Sequence, residues 1–207
     1  MKSCSHTKRV VKVVRLVALS LALGASALSA CAVEVAGVNY QASTQLGSRS
    51  LQLNGAGVRI QANDSLYTAG LYLEKKASNA QDVMGSEGIK RLRLVMLRDI
   101  SAKKLLDLIT EGLMANASDD DLGALIPEIY KVSVMLSEQG KLLTGDTFQI
   151  DSDPTYGTTI SIRGKGRGMP ASQTFMRPEL FKVMMGIWLG ERPVDAGLKN
   201  ALLGQRA

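Results

Sequence analysis

Histidine is almost missing from this sequence of 207 residues: its single copy is His6, and both cysteines, Cys4 and Cys31, also fall within the first 32 positions. A chain cut after Ala32 keeps neither residue type. It then has no Ser-His-Asp or Cys-His nucleophilic site, no zinc site built on thiolate or imidazole, and no disulfide. Acidic residues are absent from the same 32 positions, whereas Lys2, Lys8, Arg9, Lys12 and Arg15 lie there. Taking those five from 25 basic residues leaves 20 against 19 acidic ones, so the formal charge of +6 belongs to the leader. The near-neutral body has no electrostatic footprint for a phosphate backbone, and no nucleic-acid partner is expected. Arginine, lysine, tyrosine, serine, threonine and carboxylates remain for chemistry, with no motif for a metal or a cofactor.

What the leader does contain is a basic segment over residues 1–15, an apolar and small-residue stretch from Leu16 to Leu28, and Ala30-Cys31-Ala32 as an A-x-A cleavage site. That pattern predicts a signal peptide over residues 1–32 and export to the periplasm or beyond. A membrane-spanning helix needs roughly 20 apolar residues, and Gly24, Ser26 and Ser29 interrupt a run that is already short. Leu28-Ser29-Ala30-Cys31 also resembles the lipobox of bacterial lipoproteins, which makes a lipid anchor at Cys31 the alternative.

From Val33 to Ala207 no repeat, Pro-rich linker or low-complexity tract intervenes, and the length suits one domain. Strands are expected at Val33 to Tyr40 and Leu51 to Leu53, with Gly47-Ser48-Arg49 as turn material. Gly57 to Ile60 and Leu66 to Leu73 read as a hairpin closed by Asn63-Asp64-Ser65. Arg91 to Leu97 is a further strand. Ser101 offers an N-cap to a helix whose Leu105, Leu106, Leu108, Ile109 and Leu113 follow helical spacing. A second helix is expected from Ser118 to Glu138, with Pro127 restarting it at a first-turn position. Asp146 to Asp151 and Thr158 to Arg163 alternate like strands, and Pro178 opens a last apolar helix that Gly190 can cap. Strands, helices, strands and helices in that order predict an α+β fold, an antiparallel sheet with helices on one face.

Several weaker signals have ordinary readings. Neither Gly55-Ala56-Gly57 nor Gly164-Lys165-Gly166-Arg167-Gly168 opens a helix as a phosphate loop must, so turn glycines account for both. Asp119-Asp120-Asp121 lacks the alternating ligands of a calcium loop and complements a helix dipole instead. Met84, Met96, Met114, Met135, Met176, Met184 and Met185 are expected in the core, where they would also suit the wall of an adaptable pocket. Arg59 differs, because it sits in an apolar, glycine-flanked stretch where a guanidinium needs an anion or several acceptors. A salt bridge within the protein and a bound ligand both satisfy that need.

Gly55-Ala56-Gly57-Val58-Arg59, Gly70-Leu71-Tyr72-Leu73-Glu74, Leu97-Arg98-Asp99-Ile100 and Gly186-Ile187-Trp188-Leu189-Gly190-Glu191 occur in an order that resembles chalcone isomerase and its bacterial relatives. Pro193-Val194, Leu198-Lys199, Gly145-Asp146 and Gly157 to Ile160 extend the resemblance over nearly all of Val33 to Gly204. It implies the open-faced β-sandwich, a large antiparallel sheet backed by helices. It also implies that Arg59 matches the arginine that, in the plant enzymes, stabilises charge as a phenolate adds to an enone. Other positions depart from the enzymes: Tyr67 stands where they have a threonine and Ile187 where they have threonine or serine, and no matching helical tyrosine and asparagine can be found from Ala117 to Glu128. Catalysis by orientation and charge stabilisation needs several such groups together. The relatives that bind fatty acids resemble this chain at both Arg59 and Tyr67, which implies a non-catalytic site where the two hold a small amphipathic carboxylate. An intramolecular lyase with Arg59 as its catalytic residue is the alternative. A module without ligand would instead have a collapsed cleft and an internally paired Arg59. The hairpin predicts that Arg59 and Tyr67 face the helix-covered side of the sheet and share one cleft, lined from around Leu105 to Leu113 and Leu180 to Trp188.

Overall fold

The computed structural model describes residues 32–164 and 170–205. The expected leader apart from Ala32, the lipidation candidate Cys31, and Gly166 and Gly168 of the glycine-rich stretch lie outside the described residues. The elements in chain order are β1 (Val33–Val35), β2 (Val38–Tyr40), β3 (Ser43–Leu46), β4 (Arg49–Gln61), β5 (Asp64–Leu73), α1 (Ala80–Gly85), β6 (Lys90–Met96), β7 (Ile100–Ser101), α2 (Ala102–Asn116), α3 (Asp119–Gln139), β8 (Lys141–Leu142), β9 (Thr147–Asp153), β10 (Gly157–Arg163), β11 (Ala171–Phe175), α4 (Pro178–Leu189) and α5 (Ala196–Leu202). Seven strands form one antiparallel sheet in the order β11-β10-β9-β6-β5-β4-β3. The α+β expectation of an antiparallel sheet backed by helices is met.

Period-two alternation along β5 decides the two faces. Tyr67, Ala69, Leu71 and Leu73 join the main core with Leu92, Leu94, Phe148 and Ile150 from neighbouring strands and with the apolar sides of α2, α3, α4 and α5. Tyr72 turns the other way, into a smaller cluster with Leu51, Leu53, Val95 and Tyr40. The Tyr40 ring lies so close on β5 that a Cβ at Gly70 would stand 2.4 Å from it, and its hydroxyl donates to Thr68 Oγ1 at 2.7 Å.

Helix starts follow their local chemistry. Ser101 caps α2 by accepting from Lys104 N, and Ser118 caps α3 by accepting from Asp121 N, with the three aspartates in the first turn. Pro178 stands in the first turn of α4, and Gly190 caps it. The glycine is needed there because a Cβ would meet the Gly186 carbonyl oxygen at 2.5 Å as well as Asn116 Oδ1 at 2.3 Å.

Five expectations are corrected. Val33 to Tyr40 is not one strand but a hairpin, because Ala36 and Gly37 both take positive φ in a tight turn. Leu51 to Leu53 and Gly57 to Ile60 belong to a single strand, β4, carried past Asn54 by a register shift. Asn54 is held there by side-chain bonds to Ala77 and to the Leu202 carbonyl. Gly55 and Gly57 are therefore strand glycines rather than turn glycines, lying under α5 where a Cβ would come within 2.0 Å of Ala201 O and 2.6 Å of Ala201 Cβ respectively. Pro127 does not restart α3; the helix runs through it, the missing N–H falling on an exposed turn. Met114 and Met176 are exposed rather than in the core.

Candidate ligand-binding cleft

Arg59 and Tyr67 are direct cross-strand partners in the β4–β5 hairpin, which turns through Ala62 and Asn63, both at positive φ. Both side chains face the helices and border one small cavity. Its apolar wall comes from Leu105, Leu108 and Ile109 of α2, Ile187 and Trp188 of α4, and Leu94 and Phe148 of the sheet. None of the seven methionines named above borders it, so the adaptable-wall expectation fails there. The segment from 117 to 128, where a helical tyrosine and asparagine were sought, contributes nothing to the lining either.

Tyr67 is fully buried beneath Trp188, whose Nε1–H donates to the phenolic oxygen at 3.0 Å. Burial pushes the phenol up to about 12, against the opposing pull of the indole hydrogen bond and the nearby Arg59 charge. Tyr67 is thus a neutral phenol across the physiological range. Among the described residues its oxygen accepts a bond but its proton finds no acceptor.

The guanidinium of Arg59 is no better supplied. The residue is 9% exposed, and its one ion pair among the described residues places Nη1 3.7 Å from Asp195 Oδ2, too long for a hydrogen bond. That carboxylate is committed elsewhere: Oδ1 caps α5 by accepting from Leu198 N at 2.9 Å, and Oδ2 accepts from Ile60 N at 3.1 Å. Asp195 therefore neutralises Arg59 from a position fixed by two backbone donors. Sequence reading missed it as an Arg59 neighbour, although an aspartate ahead of Ala196-Gly197-Leu198 has the pattern of a helix N-cap. It also missed Asn116, whose amide bridges α2 to the segment carrying Asp195 by donating to Gly112 O and Arg192 O and accepting from Arg192 N.

The cavity is about 10 Å³, room for roughly one water. In this conformation the cleft is closed, which is the geometry expected of a module without ligand, and Arg59 has an internal partner. The polar end nevertheless consists of a cation and a phenol, both donors and both short of acceptors among the described residues.

A family model described as chalcone isomerase-like matches residues 32–204. This chain belongs to the chalcone isomerase-like family. Among solved structures, this chalcone isomerase-like protein resembles a fatty-acid-binding protein of Arabidopsis thaliana with a TM-score of 0.59, at 17% identity, over 81% of this chain and 92% of that one. The likeness is one of fold. No curated protein sequence matches.

Proposed function

We propose that this is an exported, non-catalytic member of its family that binds a small amphipathic carboxylate, such as a fatty acid, between the sheet and the helices. The observation that carries the reading is Arg59, a residue nine-tenths buried, beside Tyr67: two side chains whose donors lack hydrogen-bond acceptors among the described residues, at the end of an apolar cleft. A carboxylate supplies the acceptors both lack, through charge-assisted and phenolic bonds. An acyl chain suits the leucine and isoleucine wall. The neighbour in Arabidopsis is described as binding fatty acids, which supports the same ligand class. Export rests on the leader, whose processing either after Ala32 or at a lipidated Cys31 is read by the mass of the mature N-terminus.

Binding requires α2 and α4 to part, since the closed cavity cannot hold an acyl chain. Trp188 is the chain's one tryptophan, and a ligand reaching Tyr67 must disturb its indole hydrogen bond. Titration of delipidated protein with palmitate is expected to change Trp188 fluorescence saturably, and Arg59→Ala to weaken binding by about tenfold or more. An Arg59→Ala variant that binds as well as the parent removes the assigned role.

A second reading is favoured by the closed cavity and the Arg59–Asp195 pair: a module of the envelope with no ligand. It predicts no saturable signal in the same titration. The isomerase alternative predicts that the purified protein accelerates chalcone cyclisation beyond the spontaneous rate. Ile187 and Trp188 occupy the cleft and, among the described residues, no hydroxyl beyond that of Tyr67 lines it, which supports the non-catalytic choice.

A further inference from the structure

The large sheet ends in two edges, only one of which is tied down, among the described residues, by a charged side chain from elsewhere in the sheet. At one, β3 already gives its Gln45 carbonyl to Arg91 Nη1 at 3.2 Å, and Thr44 Oγ1 accepts from the same nitrogen. At the other, β11 reads Ala171-Ser172-Gln173-Thr174-Phe175, with no charge, no proline and an unshifted register against β10. Its five residues are free of the charges, prolines and bulges that usually keep an edge strand from pairing with another chain, and one carbonyl, that of Thr174, accepts from Gln173 Nε2 at 3.2 Å.

Beside this edge runs the outer side of α3. Ile126, Tyr130 and Val134, four residues apart in turn, are 63%, 67% and 38% exposed, so an apolar stripe lies on a helix whose opposite face is already in the core. Between stripe and edge is an open groove of about 550 Å³ bordered by Tyr130, Lys131, Val134, Glu138, Ser172 and Gln173. Edge and stripe thus form one surface.

We infer that this surface pairs with a second copy of the chain across a two-fold axis, β11 against β11 and α3 against α3. The charges select that occupant. Lys131 and Glu138 lie on either side of Val134 and border the same groove, so an antiparallel copy of α3 related by a two-fold beside Val134 sets each Lys131 opposite the partner's Glu138 and the two Val134 side chains together. The strand has the matching symmetry: turning β11 about Gln173 brings Ser172 opposite Thr174 of the copy. Such an isologous contact closes on itself as a dimer and uses up the free edge. It extends the sheet without touching the cleft at Arg59 and does not depend on the ligand proposed there.

Sedimentation equilibrium of the purified protein tests it. The parent is expected to be a dimer at micromolar concentration. Lys131→Glu and Glu138→Lys, both at exposed positions, should each weaken dimerisation by about tenfold through like-charge contacts made twice, and the double variant should recover it. Circular dichroism and melting temperature identify any variant that misfolds, and Val134→Glu offers an independent disruption. A parent that stays monomeric up to several hundred micromolar overturns the inference, as does a double variant no tighter than the singles. A partner of another kind on this edge would appear as the first of these outcomes.

Discussion

Two buried phenols make the most direct prediction at the scale of single residues. Burial is the main cause that pushes Tyr40 and Tyr67 from 10.0 to about 12 each, with a hydrogen bond to Thr68 or from Trp188 opposing it. A group that holds its proton more tightly when folded stabilises the fold fully below its unfolded pKa. That contribution is lost as pH rises from about 10 to about 12, where the unfolded chain releases protons that the folded one keeps. Each phenol accounts for on the order of 2 kcal/mol over that window. Thermal melts of the parent should therefore fall steeply between those limits, and Tyr67→Phe should flatten part of the fall while losing the Trp188 hydrogen bond at neutral pH. Tyrosinate absorbance that titrates fully near pH 10 in the folded protein would contradict this. Arg59 was legible as a candidate from its residue type in an apolar setting, and Tyr67 from the family resemblance. Asp195 was not, because its bond to Ile60 joins residues 135 apart and no local pattern announces such a meeting.

Among the elements, α5 docks on the backbone of β4, and the glycines of Gly55-Ala56-Gly57 are the reason it can. Gly55→Val sets a branched side chain where Cβ alone would stand 2.0 Å from the Ala201 carbonyl oxygen. Backbone cannot yield as a side-chain tip can, so a loss of about 3 kcal/mol or more is expected, read as a lower urea midpoint. Because α5 begins at the Asp195 cap, the same change should also displace the partner of Arg59. Pro127 acts in the opposite direction. It interrupts the hydrogen bonding of α3 at an exposed position, and Pro127→Ala is expected to raise stability by about 1–3 kcal/mol in the same assay. Element starts were readable where capping is local, as at Ser101, Ser118 and Pro178. The edge strand β11 was not, since Ser172, Gln173 and Thr174 carry no apolar alternation and only pairing with β10 makes them a strand.

For the molecule as a whole, the proposed ligand binding implies a measurable linkage to stability, because a ligand held by the folded form alone shifts the folding equilibrium. A fatty acid that binds only the folded form at 100 times its dissociation constant adds about 2.7 kcal/mol. Melting temperature should rise with palmitate concentration in the parent and hardly at all in Arg59→Ala. A neutral ester of the same chain length should stabilise less than the acid, because it accepts hydrogen bonds without matching the arginine charge. Equal shifts for acid and ester would show that the polar end does not take part. No helix among the described residues is long and apolar enough to cross a membrane.

The sequence by itself determined the α+β class, the helices that start at Ser101, Ser118 and Pro178, the β4–β5 hairpin, and the placing of Arg59 beside Tyr67. Each depends on periodicity, capping or turn chemistry within a few residues, which a linear pattern records. Tertiary structure alone decided that Gly55 and Gly57 lie beneath a helix, that Asp195 neutralises Arg59, that Trp188 seals Tyr67, and that the cleft closes to about 10 Å³. Those features come from surfaces brought together by packing from distant parts of the chain. Their geometry is set by the shape and close approach of whole elements, which residue types in order do not encode one by one.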